Sequence, residues 1–167
     1  MKESELMRLL ENQVEVDKKL RFFLGKRLLF KQEINLRRIE GHIAKSNHDL
    51  SFVNSLKNEY NDWTLVGCYY ALYHIALALI LSKGLFSKNH DATLTALIKY
   101  FYRDFPESDI RFLNSLEIND ILFYAQSRNE REKASYSSSY IINNKTVNEI
   151  KLKTILFVNK AKEILEF

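Results

Sequence analysis

The sequence predicts an all-α fold, an up-and-down bundle of four or five helices with an extra helix at its N-terminus. Three observations carry this. Apolar residues recur at three- and four-residue steps along nearly the whole chain. Only four glycines and one proline punctuate 167 residues, too few for the tight turns of a many-stranded sheet. The balance of 46% hydrophobic to 28% charged residues is that of an ordinary globular chain. At this length a single core buries roughly 70% of the unfolded surface and needs no metal or disulfide staple.

Leu6, Leu9, Leu10, Gln13, Val14 and Leu20 outline the first helix. Leu36, Ile39, Ile43, Leu50 and Val53 outline the second. Asn61 or Asp62 is placed to cap the third, which should stop near Lys83-Gly84. From Trp63 to Ser82 that helix holds no Asp, Glu, Lys or Arg and is long enough to span a bilayer. It carries Thr64, three tyrosines and His74, and its neighbours are amphipathic, so it reads as a central bundle helix and no membrane contact is expected. GLFSKN then reads as a short loop. Asn89 or Asp91 opens a helix through Leu94, Leu97, Ile98 and Phe101, which Pro106 terminates. Another helical stretch runs from Ser108 or Asp109 toward Arg131, with an interruption expected around Glu117 to Asn119. SYSSSYIINNK lacks a helical stripe and reads as a loop, although YSSSYII has the composition of a short strand. Val147, Ile150, Thr154, Phe157, Ala161 and Ile164 mark the last helix. The expected division is 1–34, an N-terminal helix and basic connector, and 35–167, the bundle.

Cys68 is the only cysteine, which excludes an intrachain disulfide and points to a reducing, cytoplasmic setting. It lies inside the apolar run, where a thiol is usually inert packing. MKESELMRLLENQVE mixes acids and bases and lacks the apolar core of a secretory signal. No phosphate-binding glycine loop is present, because Gly25-Lys26 lacks the partner glycine and the Ser/Thr. His42, His48, His74 and His90 show no zinc-ligand spacing, so neither a metal nor a cofactor is expected. His42 and His48, six apart, point to different faces of one helix. His74 reads as a neutral core histidine bonded to a tyrosine or a carbonyl, the functional reading standing beside it.

Formal charge is +4, unevenly spread: eight bases against Glu33 between Lys18 and Arg38 give +7, leaving −3 elsewhere. Phe22, Phe23 and Phe30 lie in this block. Bases interleaved with aromatics suit RNA phosphates and stacked bases, with Lys26, Arg27 and Lys31 as the expected contacts. The other reading turns the phenylalanines inward and leaves the bases as a solvated face. A second candidate is SRNEREKASY, where Arg128 and Arg131 are three apart and Tyr136 follows. Two guanidiniums and a phenol at a helix end can hold a phosphate and place a proton donor beside it, while Glu130 and Glu132 fit a merely solvated terminus.

Taken together, the DW-x5-YYA-x-YH helix at Asp62 to His74, the SK-x-H turn at Ser87 to His90 and the ending Arg131 to Tyr136 resemble the HEPN domain (higher eukaryotes and prokaryotes nucleotide-binding), in its small stand-alone archaeal and bacterial form. The likeness spans about His42 to Phe167. It implies a helical bundle that is commonly a homodimer, a role in RNA-directed defence or toxin–antitoxin systems, and a minimal nucleotidyltransferase as partner. Active HEPN ribonucleases carry Arg and, four to six residues on, His, and without metal they let the ribose 2′-hydroxyl attack the neighbouring phosphate. Here Tyr136 stands five residues after Arg131, and no histidine follows His90. A phenol with a pKa of about 10 is a poor general base at neutral pH. The leading expectation is therefore a binding or regulatory module for nucleotides, RNA or the partner enzyme, with Arg128, Arg131 and Tyr136 holding the ligand. The alternative is a metal-independent ribonuclease with Arg131 and Tyr136 as its altered catalytic pair.

Overall fold

The computed structural model describes residues 1–116 and 144–167. Its described residues are mostly α-helical with one very small sheet, so the all-α class holds. Where the apolar rhythm predicts one first helix, the chain forms two, α1 (Glu3–Glu11) and α2 (Gln13–Gly25). Asn12 makes the break. It is extended (φ −136°, ψ 102°), and its side chain accepts from the N–H groups of Val14 at 2.9 Å and Glu15 at 3.4 Å, which caps α2. The break rotates the helical stripe, so Leu6, Leu9, Leu10, Val16 and Leu20 are buried while Gln13 and Val14 face outward.

In α3 (Leu36–Ser55) Asn35 is the cap, accepting from the Arg38 N–H at 3.1 Å. Ile39, Ile43, Ser46 and Val53 are buried as the spacing requires, whereas Leu36 in the first turn is exposed. A single 3-10 turn, Asn58–Tyr60, leads into α4 (Asn61–Leu81). Neither Asn61 nor Asp62 caps α4; Tyr60 occupies the cap position without a side-chain bond. α4 is long and apolar enough to cross a membrane by length and composition, yet 72% of its most apolar window is buried inside the protein. Among the described residues it packs chiefly on α3 and on α7 (Asn144–Leu165), with smaller contacts to α5 (His90–Phe101) and to the short sheet.

Two contacts fix the α3–α4 crossing. The Ser46 hydroxyl donates to the Ala71 carbonyl at 2.8 Å, fully buried, which satisfies a group that would otherwise be costly inside the core. Gly67 provides the close approach, because a Cβ at that position would collide with Val53 Cγ2. Cys68 lies beside this crossing, and burial pushes its thiol up to about 11, so it is packing rather than a nucleophile.

GLFSKN is more than a loop. β1 (Leu29–Lys31) and β2 (Leu85–Ser87) pair antiparallel with Leu29 opposite Ser87, Phe30 opposite Phe86 and Lys31 opposite Leu85. Gly84 enters β2 at φ +69°, a region that favours glycine, and its carbonyl accepts from the Gln32 N–H at 2.9 Å. Leu29 and Leu85 point into the core; on the other face Phe30 is exposed and Phe86 beside it is half-buried. The buried Ser87 hydroxyl lies 3.0 Å from the Leu28 carbonyl and accepts from the Asn89 N–H at 3.0 Å. Asn89 in turn caps α5 (His90–Phe101) through the Ala92 N–H at 2.9 Å. Pro106 stands at the N-terminus of α6 (Glu107–Ser115), beyond the end of α5 at Phe101. Phe105 stacks on Phe157 of α7 at 4.6 Å. One continuous core runs from Leu6 to Ala161.

Candidate functional site

The Lys18–Arg38 block divides in two. At its start, Lys18 pairs with Glu15 at 2.7 Å and Lys19 with Glu5 at 2.5 Å, so part of the charge is spent within the protein. From Lys26 onward the situation changes: among the described residues no ion pair engages Lys26, Arg27, Lys31, Arg37 or Arg38, and all five are exposed. The aromatics divide as well. Phe23 is buried, but Phe22 is 51% exposed and Phe30 39%. Neither sequence reading describes the surface alone, since one ring turns inward and two stand among the bases.

Local structure explains the placement. At the end of α2 the Leu28 N–H reaches back to the Phe23 carbonyl at 2.9 Å, and Arg27 takes the left-handed conformation at φ 54°. A helix C-terminus of this shape usually carries glycine at that residue. The turn carries the chain from α2 into β1, which carries Phe30 and Lys31. Lys26 lies 6.0 Å over the Phe22 ring. Across the strand pair the Phe30 and Phe86 rings are 6.4 Å apart and inclined by 33°. The Arg38 guanidinium, one turn into α3, sits 4.8 Å over Phe86 and donates to Gln32 Oε1 at 2.6 Å. The exposed bases and rings therefore come from the end of α2, the ribbon and the start of α3, with Lys31 projecting to the opposite side of the ribbon from Phe30, next to Leu85. Arg38 was one base among eight in the sequence and Phe86 lay in the presumed loop; only the strand register brings them together.

One turn further along α3, His42 meets His74 of α4, Nδ1 to Nδ1 at 3.1 Å, with the rings 5.2 Å apart. His74 is thus half-buried and bonded to a histidine rather than to a tyrosine or carbonyl. One ring donates Nδ1–H and the other accepts, so the bond survives until both nitrogens carry protons. Burial, then the His74, Lys45 and Arg38 charges, push His42 down to about 4. His74 is also lowered by burial, with Asp49 opposing. Both rings are neutral at pH 7. The two Nδ1 atoms are bonded to one another and so are not free to contact a ligand.

His90, at the start of α5, lies parallel to Tyr69 at 6.5 Å, and Tyr69 stacks on Tyr73 at 6.0 Å. A polar cleft of about 740 Å³ opens where the α1–α2 junction meets the end of α5, lined by Glu11, Lys99, Tyr100, Arg103, Asp104 and Glu107. Its mixed charges express no preference for an anion. Among the described residues no three His, Cys, Asp or Glu side chains gather closely enough to hold a metal ion. Arg128, Arg131 and Tyr136 lie outside the described residues, as does most of SYSSSYIINNK.

No family model matches the chain. A protein of Methanocaldococcus jannaschii named "Putative toxin" is 26% identical over 130 residues, covering 77% of this chain and 82% of the relative. The similarity is to a small archaeal protein with a toxin-like name.

Proposed function

We propose that this protein is a toxin-like module of the HEPN kind that holds RNA rather than cleaving it, through the basic surface at the end of α2, in β1 and at the start of α3. The observation that carries this reading is the unneutralised set Lys26, Arg27, Lys31, Arg37 and Arg38 with Phe22 and Phe30 exposed among them. Charge of one sign that is not spent on internal partners releases counterions when it meets a phosphate chain, and exposed rings beside it accept bases. The toxin-named relative supports a toxin-like role. In this reading residues 1–34 supply most of the RNA surface and residues 35–167 the HEPN-like bundle. The protein works in the cytoplasm as a homodimer, and a minimal nucleotidyltransferase is its partner. Arg128, Arg131 and Tyr136 form a second, anion-holding site.

Binding of a labelled single-stranded RNA at several salt concentrations tests the proposal. The parent should bind weakly at low salt and lose affinity steeply as salt rises. Lys26, Arg27 and Lys31 all changed to Glu should abolish binding while the melting temperature stays near that of the parent. No measurable affinity in the parent at low salt, or an unchanged affinity in the triple variant, would sink it. Metal-free incubation with the same RNA tests the ribonuclease alternative. Products ending in 2′,3′-cyclic phosphate, lost in both Arg131→Ala and Tyr136→Phe, would establish it instead.

A further inference from the structure

The ribbon does more than close the bundle. Its register sets Phe30 directly opposite Phe86, on the face away from the buried leucines; Phe30 is exposed, whereas Phe86 is half-buried against the core. Backbone pairing therefore holds the Phe30 ring at the surface, beside the partly buried Phe86. Arg38 extends the same surface. Its planar guanidinium lies over Phe86, and the bond to Gln32 fixes its orientation using one of five N–H donors. An exposed apolar ring, a planar cation over its half-buried neighbour and an exposed guanidinium with donors to spare suit the face of a base and the phosphate attached to it. We propose that Phe30 and Arg38, backed by Phe86, form a stacking platform for unpaired bases, so that the protein selects single-stranded over duplex RNA. This rests on the RNA-binding reading above and adds the strand preference to it. Bases inside a duplex are already stacked on both faces and have no face to offer Phe30. Duplex RNA would engage the surrounding lysines and arginines alone.

Anisotropy with two labelled RNAs of equal length separates the two claims: an unstructured single strand of about 12 nucleotides, within the range one such groove covers, and a duplex. Phe30→Ala should weaken single-strand binding about tenfold, the effect of losing one stacked base, and leave duplex binding unchanged. The slope of log affinity against log salt should not move, because no charge is lost. Phe30→Trp should restore the affinity. Lys31→Gln should instead lower the slope by about 0.7 for the single strand and weaken the duplex too. Single-strand binding by Phe30→Ala equal to the parent's, or an equal loss for both RNAs, overturns the platform while leaving the basic surface in place. A parent that binds neither RNA at low salt removes the RNA-binding reading itself, and the platform with it.

Discussion

Arg27 is the residue where backbone preference and charge pull in opposite directions. Its φ of 54° is a conformation that costs a side-chain-bearing residue about 1 kcal/mol and glycine nothing. Strain kept at a position that glycine would relieve points to a use for the side chain. Arg27→Gly should raise stability by roughly 0.5 to 1 kcal/mol in urea unfolding and at the same time weaken RNA binding at low salt. A variant both more stable and equally good at binding would show that the guanidinium serves no contact. His42 supplies a second test at this scale. Its pKa falls from the usual 6.5 in the unfolded chain to about 4 in the fold, through burial first and then the His74, Lys45 and Arg38 charges. The unfolded state thus binds more protons across that interval, and stability is complete above pH 6.5 and lost as pH falls toward 4. The ring is half in water, so the loss should be roughly 1 to 2 kcal/mol. Melting temperatures between pH 7 and pH 4 should drop less in His42→Gln than in the parent.

At the scale of elements, the α3–α4 crossing has the least room for change. Gly67→Ala drives a methyl into Val53, which is itself almost wholly buried, and should destabilise by about 1 to 3 kcal/mol. Adding Val53→Ala should recover part of that loss, because the volume returns; a double variant no better than Gly67→Ala alone would place the strain elsewhere. Helix positions were readable from the sequence wherever a single rhythm persisted. α3, α4, α5 and α7 follow their apolar steps, and Asn89 caps α5 as its position suggested. The break at Asn12 was not read, since Leu6 to Leu20 fits one continuous stripe and only the capping side chain reveals two helices. β1 and β2 escaped notice for another reason. Three residues show no period, and pairing across the whole of α3 and α4 leaves no local mark. The site was legible in part on the same grounds: Lys26, Arg27, Lys31 and Phe30 are near neighbours in sequence, whereas Phe86 and the His42–His74 bond depend on tertiary approach.

For the whole molecule, the distribution of exposed aromatics bears on self-association. Phe52, at 42%, and Trp63, at 59%, lie on the paired helices α3 and α4, with Tyr60 and Tyr70 also more than two-fifths exposed on the same segment. Large rings left in water at this density favour contact with another apolar face. Light scattering at tens of micromolar should give about twice the 19.8 kDa chain mass, and Trp63→Lys should shift the distribution toward the monomer. A parent that scatters as 19.8 kDa would exclude the dimer.

The ribbon also sets an order of events in folding. Its two strands of three residues join segments separated by about 50 residues, and closing a loop of that length costs about 3 to 4 kcal/mol of chain entropy. Three residues per strand do not supply that alone, so α3 must already be packed on α4 before β1 finds β2. Amides of Phe30 and Phe86 should consequently exchange with solvent through a partial opening that leaves the α4 amides protected. A nascent chain shorter than Ser87 has every base of the proposed RNA surface but no ribbon to arrange them. In the proposed reading, the capacity to engage RNA is acquired late, after α3 has packed on α4.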